Sequence, residues 1–189
     1  MKNGTVIFDF DGTLAWIWAR LLARALKSQT WCYPLLGTEN IKQVPGALKT
    51  LSLLLQAGYS LGIISDRREE SLGALLQSAM IPCGYFRFVK GSEDGIFKPS
   101  PDMFNTTLRV MNCTDPVLYI GDHTDDCRAC WGADREIEFV GVLTGLCNLD
   151  EFLRAGVPAK NIIDSVADLP DFLGVTEEDA NEIWAAMYR

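Results

Sequence analysis

The sequence predicts an α/β fold, a Rossmann-like doubly wound parallel sheet with a small helical cap insert after the first strand. Two observations carry that expectation. Short apolar runs rich in β-branched and aromatic residues, as strands covered on both faces require, alternate with segments of helical periodicity. Polar and acidic residues follow those runs directly, at the carboxyl ends of strands where open α/β sheets bind ligands. A chain of 189 residues suffices for one domain and an insert but not for two full domains.

Taken in order, Thr5 to Phe8 is the first strand candidate. The later ones are Tyr59 to Ile64, Val117 to Ile120, Ile137 to Val142 and the short Asn161 to Ile163. Between them, Ala47 to Ala57 ends at Gly58, Glu70 to Ala79 stops before Pro82, and Asp102 to Met111 follows Pro101, each a helix with a recognisable start or stop. One stretch breaks the rhythm: about thirty residues separate the first strand from the Pro45-Gly46 turn, far more than a strand-to-helix connection needs. There Leu14, Ile17, Trp18, Leu21, Leu22, Ala25 and Leu26 recur at helical spacing, with Arg20, Arg24 and Lys27 on the opposite face. Such a basic face is usually just solvated; its functional alternative is a cationic wall beside an anionic substrate. The expected organisation is a core of residues 1–14 and 45–175, a reduced cap over 15–44, and a C-terminal helix over 176–189 opened by Thr176 and Asp179.

Charge excludes some function classes. With 17 Lys and Arg against 25 Asp and Glu, the net charge of −8 repels polyanions, which argues against nucleic-acid and anionic-membrane partners. Hydrophobic residues at 48% and charged residues at 22% are ordinary globular usage. Asp9 and Asp11 interrupt the N-terminal apolar stretch, and Arg20 and Arg24 interrupt the run Leu14 to Leu26, so a soluble, cytoplasmic protein is expected. The six cysteines fit reduced, buried thiols better than a bridge framework. Cys127 and Cys130 form the one tight pair; with only His123 nearby and no second pair, they read as helix-packing residues rather than zinc ligands.

Four places carry candidate chemistry. The first strand ends in Asp9-Phe10-Asp11-Gly12-Thr13, where period-two alternation puts Asp9 and Asp11 on one side and Gly12 permits a sharp turn. The second run ends in Ile64-Ser65-Asp66, a hydroxyl and backbone N–H groups ahead of a helix. Next comes Phe97-Lys98-Pro99-Ser100-Pro101, a lysine locked by two prolines ahead of another helix, and last the acidic loop Gly121-Asp122-His123-Thr124-Asp125-Asp126. Several carboxylates converging on one sheet edge call for a hard divalent cation, Mg²⁺ in a site that also holds a phosphate. Lys98 and Ser65 would then serve the phosphoryl oxygens. Singly, each feature also has an ordinary meaning as a turn, a surface charge or a helix cap; their joint occurrence does not.

The ordered set Asp9-x-Asp11-Gly12-Thr13, Ser65, Lys98-Pro99 and Gly121-Asp122-x-x-x-Asp126 resembles the haloacid dehalogenase superfamily, most closely its phosphatase branch related to phosphoglycolate phosphatases, over about residues 4 to 173. The resemblance implies that Asp9 attacks phosphorus to give an aspartyl-phosphate while Asp11 protonates the leaving oxygen and later deprotonates water. It implies Mg²⁺ held by the Asp9 carboxylate, the Asp11 carbonyl and Asp122, with Asp126, or in competition Asp125, supporting the metal shell. Ser65, Asp66 and Lys98 fall in the phosphate-binding positions. A carboxylate at Asp66 would repel the phosphate, so it is expected to turn away toward Arg67 or Arg68. Arg20, Arg24 and His123 are candidate substrate contacts, His123 having a solvated loop side chain as its plainer reading.

The paired Asp11 favours phosphate over a halide leaving group, and the short insert disfavours a phosphomutase, which must exclude water between two transfers. An open-site phosphatase acting on a larger or macromolecular substrate, and a receiver-like phosphoacceptor module, are the alternatives. Receivers place the phosphorylated aspartate after a separate acidic pair on an earlier strand, whereas here the nucleophile candidate lies on the first strand. The expected partner is a small phosphorylated molecule, with Mg²⁺ as cofactor.

Overall fold

The computed structural model describes residues 4–17, 41–92, 95–178 and 180. In chain order the elements are β1 (Thr5–Phe8), β2 (Ala15–Ile17), β3 (Ile41–Gln43), α1 (Ala47–Gln56), β4 (Ser60–Arg68), α2 (Glu69–Ser78), β5 (Phe88–Ser92), α3 (Asp102–Val110), β6 (Val117–Gly121), α4 (Thr124–Trp131), β7 (Glu138–Val142), α5 (Leu149–Ala155), β8 (Ile162–Ile163) and α6 (Leu169–Leu173). Six strands form one sheet in the order β5-β4-β1-β6-β7-β8, with every pairing parallel. The predicted doubly wound α/β fold is therefore present.

Alternation along β1 sorts the core into two layers. Val6 and Phe8 point to the face packed by α1, α2 and α6 through Leu51, Leu54, Leu72, Leu76 and Leu169. Ile7 joins Tyr119, Phe104, Cys130 and Phe152 on the other face, beneath α3, α4 and α5. Both faces are covered, which is why the strands are apolar runs rather than alternating ones. Chain order reverses direction at β1: β4 and β5 build outward on one side, β6, β7 and β8 on the other. The crevice at the carboxyl end of β1, between β4 and β6, is the topological switch point where such sheets bind ligands.

The insert departs from expectation where it begins. Ala15 to Ile17 is a strand, not the start of a helix, because it pairs antiparallel with Ile41 to Gln43 and so closes the two ends of the insert against each other. Arg20, Arg24 and Lys27, with the proposed basic helix face, lie outside the described residues, as does most of the C-terminal helix predicted from Thr176. Among the described residues, no helix is long and apolar enough to cross a membrane.

Candidate active site

Seven polar side chains gather, buried, at the switch point: Asp9, Asp11, Ser65, Arg67, Lys98, Asp122 and Asp126. Asp9, Asp11, Ser65, Arg67 and Asp122 come from strand ends or the turns after them, Asp126 from the first turn of α4, and Lys98 from the segment leading into α3. Asp9 follows β1, and its N–H donates to the Ile120 carbonyl at 2.8 Å, holding the strand end against β6. Gly12 turns the chain with φ +80°, and a Cβ there would sit 2.5 Å from Asp122 Oδ2. Asp122 follows β6 and is wedged between Gly12 and Gly145, with Oδ2 accepting the Leu146 N–H at 2.6 Å. Both glycines are needed because the Asp122 carboxylate occupies the space a side chain would take.

Lys98 is the centre of the arrangement. Its ammonium donates to Asp9 Oδ1 at 2.9 Å, Asp126 Oδ1 at 2.6 Å and Tyr119 Oη at 2.9 Å. Those are the three donors an ammonium has. Burial alone would depress the amine, but the charges of Asp126 and Asp9, with Tyr119 and Asp66 behind them, outweigh it and hold Lys98 well above the ordinary lysine range, hence charged. Tyr119 Oη donates a hydrogen bond to the Ile64 carbonyl at 2.8 Å, and burial pushes that phenol well above its usual range, hence neutral.

Asp126 and Asp125 part company. Asp126 Oδ1 binds Lys98 while Oδ2 accepts the His123 N–H at 2.9 Å, and His123 Nδ1 in turn accepts the Asp125 N–H at 3.2 Å, a reciprocal cap on α4. Asp125 turns to Arg128 at 3.0 Å on the outer side of the helix. The structure thus gathers Asp126, not Asp125, into the cluster and assigns His123 Nδ1 to the helix start.

Asp66 is anchored on the Lys98 backbone. Its Oδ1 accepts the backbone N–H of Lys98 at 2.9 Å, and Ser92 Oγ donates to its carbonyl at 2.9 Å. Arg68 pairs instead with Glu70 on the surface. Burial raises Asp66 above its usual carboxylate range, the charge of Lys98 and its backbone hydrogen bond opposing that only in part.

Arg67 belongs to the site, which the sequence reading missed. Its Nε donates to Asp11 Oδ2 at 2.7 Å and its Nη2 to Asp11 Oδ1 at 3.1 Å, a two-pronged pair with both side chains 7% exposed. The signal was available, because Ser65 and Arg67 are two apart on one strand and so face the same way. Tyr119 was missed too, although a tyrosine inside an otherwise apolar buried strand implies a hidden hydroxyl partner.

Asp9, Asp122 and Asp126 each offer a carboxylate oxygen, all within 4.8 Å of one another. Three carboxylates against the single ammonium of Lys98 leave two negative charges, the charge of one divalent cation. The all-oxygen donor set suits a hard ion such as Mg²⁺, so these residues fit the metal. The cysteines do not compete for it: burial pushes the Cys127 and Cys147 thiols up to about 11 and Cys130 well above its usual range, leaving them protonated at neutral pH. Trp16, at the start of the insert, donates its indole N–H to the Thr144 carbonyl at 3.0 Å, and Thr144 Oγ1 donates to the Gly12 carbonyl at 2.6 Å. It braces the Gly12 turn.

A family description of haloacid dehalogenase-like hydrolases matches residues 33–142, more than half of the chain. The chain belongs to that family. The Asp9 to Thr13 motif precedes the matched residues, so the haloacid dehalogenase-like assignment does not depend on it. Phosphoglycolate phosphatase of Salmonella typhi is 30% identical over 141 residues, 74% of this chain and 54% of that protein. Glyceraldehyde 3-phosphate phosphatase of Pyrococcus abyssi is 30% identical over 83 residues, 43% of this chain and 35% of that protein. The chain spans about half the length of the curated phosphoglycolate phosphatases it matches. Among solved structures, D,D-heptose 1,7-bisphosphate phosphatase from B. bronchiseptica, complexed with magnesium and phosphate, superposes with a TM-score of 0.67 at 17% identity, covering 90% of this chain and 97% of that one. A haloacid dehalogenase superfamily hydrolase from Ehrlichia chaffeensis gives 0.66 at 19% identity, covering 92% and 98%. Both are likenesses of fold.

Proposed function

We propose that this haloacid dehalogenase-like chain is a Mg²⁺-dependent phosphatase that hydrolyses phosphate monoesters of small molecules through an aspartyl-phosphate on Asp9. The observation that carries the reading is the buried Lys98 ammonium bound at once to Asp9 and Asp126, beside Asp122, at the switch point of the sheet. A carboxylate is a poor nucleophile toward a phosphate dianion unless cationic groups screen the repulsion, and Lys98 places a fixed charge 2.9 Å from Asp9 Oδ1. All three Lys98 donors rest on protein acceptors, so its service to the phosphate is electrostatic unless one of those bonds yields.

In the first step an Asp9 oxygen bonds to phosphorus, the bond to the leaving oxygen breaks, and Asp11 gives that oxygen a proton. In the second, water attacks phosphorus, Asp11 takes its proton, and the Asp9–phosphorus bond breaks to release phosphate. Ser65, whose Oγ accepts the Arg67 N–H at 3.3 Å, would turn its hydroxyl to the phosphoryl oxygens. Mg²⁺, held by the Asp9 and Asp122 carboxylates and the Asp11 carbonyl with Asp126 behind, would supply the charge that screens the phosphoryl group. The five described cysteines are unbridged, which supports a reducing, cytoplasmic setting as part of the same proposal.

Turnover of p-nitrophenyl phosphate with and without Mg²⁺ tests the reading. Mg²⁺-dependent release of phosphate, abolished in Asp9→Asn, is the expected result; full activity after exhaustive chelation, or turnover by Asp9→Asn at the wild-type rate, overturns it.

A further inference from the structure

We propose that Thr144 is a positioning residue for the metal centre, its hydroxyl holding the turn that presents the Asp11 carbonyl while the loop behind it holds Asp122; this rests on the metal reading above. Three observations carry it. The first is the orientation of the Asp11–Gly12 peptide, whose N–H donates to the Ala15 carbonyl at 2.8 Å. The N–H and C=O of a trans peptide point in opposite directions, so the Asp11 carbonyl is aimed away from Ala15.

The second observation is what fixes the next peptide. Thr144 Oγ1 donates to the Gly12 carbonyl at 2.6 Å, and the Thr144 carbonyl accepts the indole N–H of Trp16 at 3.0 Å. Trp16 follows Ala15 in β2, so these hydrogen bonds close a ring through Gly12, Ala15, Trp16 and Thr144. Gly12, at φ +80°, has no side chain to resist a change of the turn. The restraint therefore comes from outside it, through the Thr144 hydroxyl.

The third observation is that the same loop reaches Asp122. Just beyond Thr144, the Leu146 N–H donates to Asp122 Oδ2 at 2.6 Å and the Cys147 N–H to the Asp122 carbonyl at 3.0 Å. A Cβ on Gly145 would lie 1.9 Å from Asp122 Oδ2, so the loop is closed tightly on that carboxylate. One segment thus braces two proposed ligands, the Asp11 carbonyl through Thr144 and the Asp122 carboxylate through Leu146. Lys98 acts on the cluster through charge; Thr144 carries none and acts through geometry.

An effect on geometry has its own signature. Mg²⁺ demands near-ideal octahedral coordination, whereas Ca²⁺ accepts a larger and more flexible oxygen shell. A slackened turn therefore costs Mg²⁺ more than Ca²⁺, while a general loss of stability weakens both alike.

The experiment titrates Mg²⁺ and, separately, Ca²⁺ into metal-stripped protein and reads each apparent Kd from the rise in melting temperature. The proteins are wild type, Asp122→Ala, Thr144→Val, Thr144→Ser and, as a stability control, Thr50→Val, which removes a buried α1 hydroxyl bonded to the Val166 carbonyl. The ratio of the two Kd values on one variant cancels its altered melting temperature. Thr144→Val should weaken Mg²⁺ binding by on the order of tenfold and Ca²⁺ binding by less than about threefold, the size expected of a partner that orients a ligand. Thr144→Ser keeps the hydroxyl and should stay within about twofold of wild type for both ions. Thr50→Val should melt lower with its ratio unchanged. An unchanged Mg²⁺ Kd in Thr144→Val, an equal loss for both ions, no recovery in Thr144→Ser, or a ratio shifted as far by Thr50→Val overturns the proposal. A wild type that Mg²⁺ does not stabilise, or a Mg²⁺ response that survives Asp122→Ala intact, overturns the metal reading instead, and that result is read without any Thr144 variant.

Discussion

Lys98→Met removes one charge from the middle of the site while keeping the length of the chain. In the wild type the ammonium is buried against two carboxylates, Asp9 at 2.9 Å and Asp126 at 2.6 Å, and its stabilising effect is fully present at neutral pH and is lost as pH rises from the unfolded lysine value of 10.5 through its raised folded value. Taking one partner from a buried ion pair costs about 3–5 kcal/mol, because the remaining charge stays in a medium that solvates it poorly. For a chain of this size, each kcal/mol moves the melting temperature by about 2–4 °C, so Lys98→Met should melt lower by about 6–20 °C. The assay is thermal unfolding by circular dichroism at pH 7 with a chelator present. Added Mg²⁺ should then raise the melting temperature of the variant more than that of the wild type, since a dication relieves repulsion that the lysine no longer screens. A shift below about 2 °C in chelator, or equal responses to Mg²⁺, would refute the view that Lys98 neutralises this cluster.

The remaining predictions concern the neighbours. Asp122→Ala should raise the Mg²⁺ concentration for half-maximal turnover by on the order of tenfold or more, measured by titrating Mg²⁺ at saturating p-nitrophenyl phosphate. Replacing Cys127 and Cys130 together by Ala should leave that concentration unchanged, since both thiols are held protonated by burial. Asp66→Asn keeps an oxygen for the Lys98 N–H and removes a carboxylate that burial disfavours. A folded value raised above 3.8 means the wild type loses stability as pH rises from there through the raised value, so the variant should gain on the wild type over that window and hold the gain at neutral pH. Urea midpoints at pH 3.5, 5 and 7 check it, and a gain that shrinks with rising pH contradicts the burial argument.

Legibility in the sequence followed the range of the interactions. The strands of the sheet were readable because each is covered on both faces and therefore written as an apolar run, as in Thr5 to Phe8 and Val117 to Ile120. Asp9, Asp122, Ser65 and Lys98 were readable as candidates because each follows a strand or precedes a helix, and strand ends meet at one sheet edge whatever the side chains do. Ala15 to Ile17 was not, because its strand character comes from pairing with Ile41 to Gln43 across the insert, a contact that local helical spacing cannot register. β5 also escaped, its Phe88 to Lys90 being only partly buried and its run broken by Lys90 and Gly91.

What local reading could not supply is which charge answers which. Arg67 and Arg68 are adjacent and chemically identical, and a carboxylate precedes them at Asp66, so proximity in sequence suggests that these three satisfy one another. Strand alternation says otherwise: neighbours on a strand point to opposite faces, and Arg67 shares its face with Ser65 while Arg68 leaves for Glu70 on the surface. Asp66, pointing away from Arg67 for the same reason, meets the Lys98 backbone. The two cations thus meet different carboxylates, Lys98 pairing with Asp9 and Asp126 and Arg67 with Asp11. On the proposed reading Lys98 screens Asp9 whichever group leaves, so Lys98→Met should slow p-nitrophenyl phosphate and glycerol 2-phosphate alike, and a loss confined to the alkyl ester would contradict it.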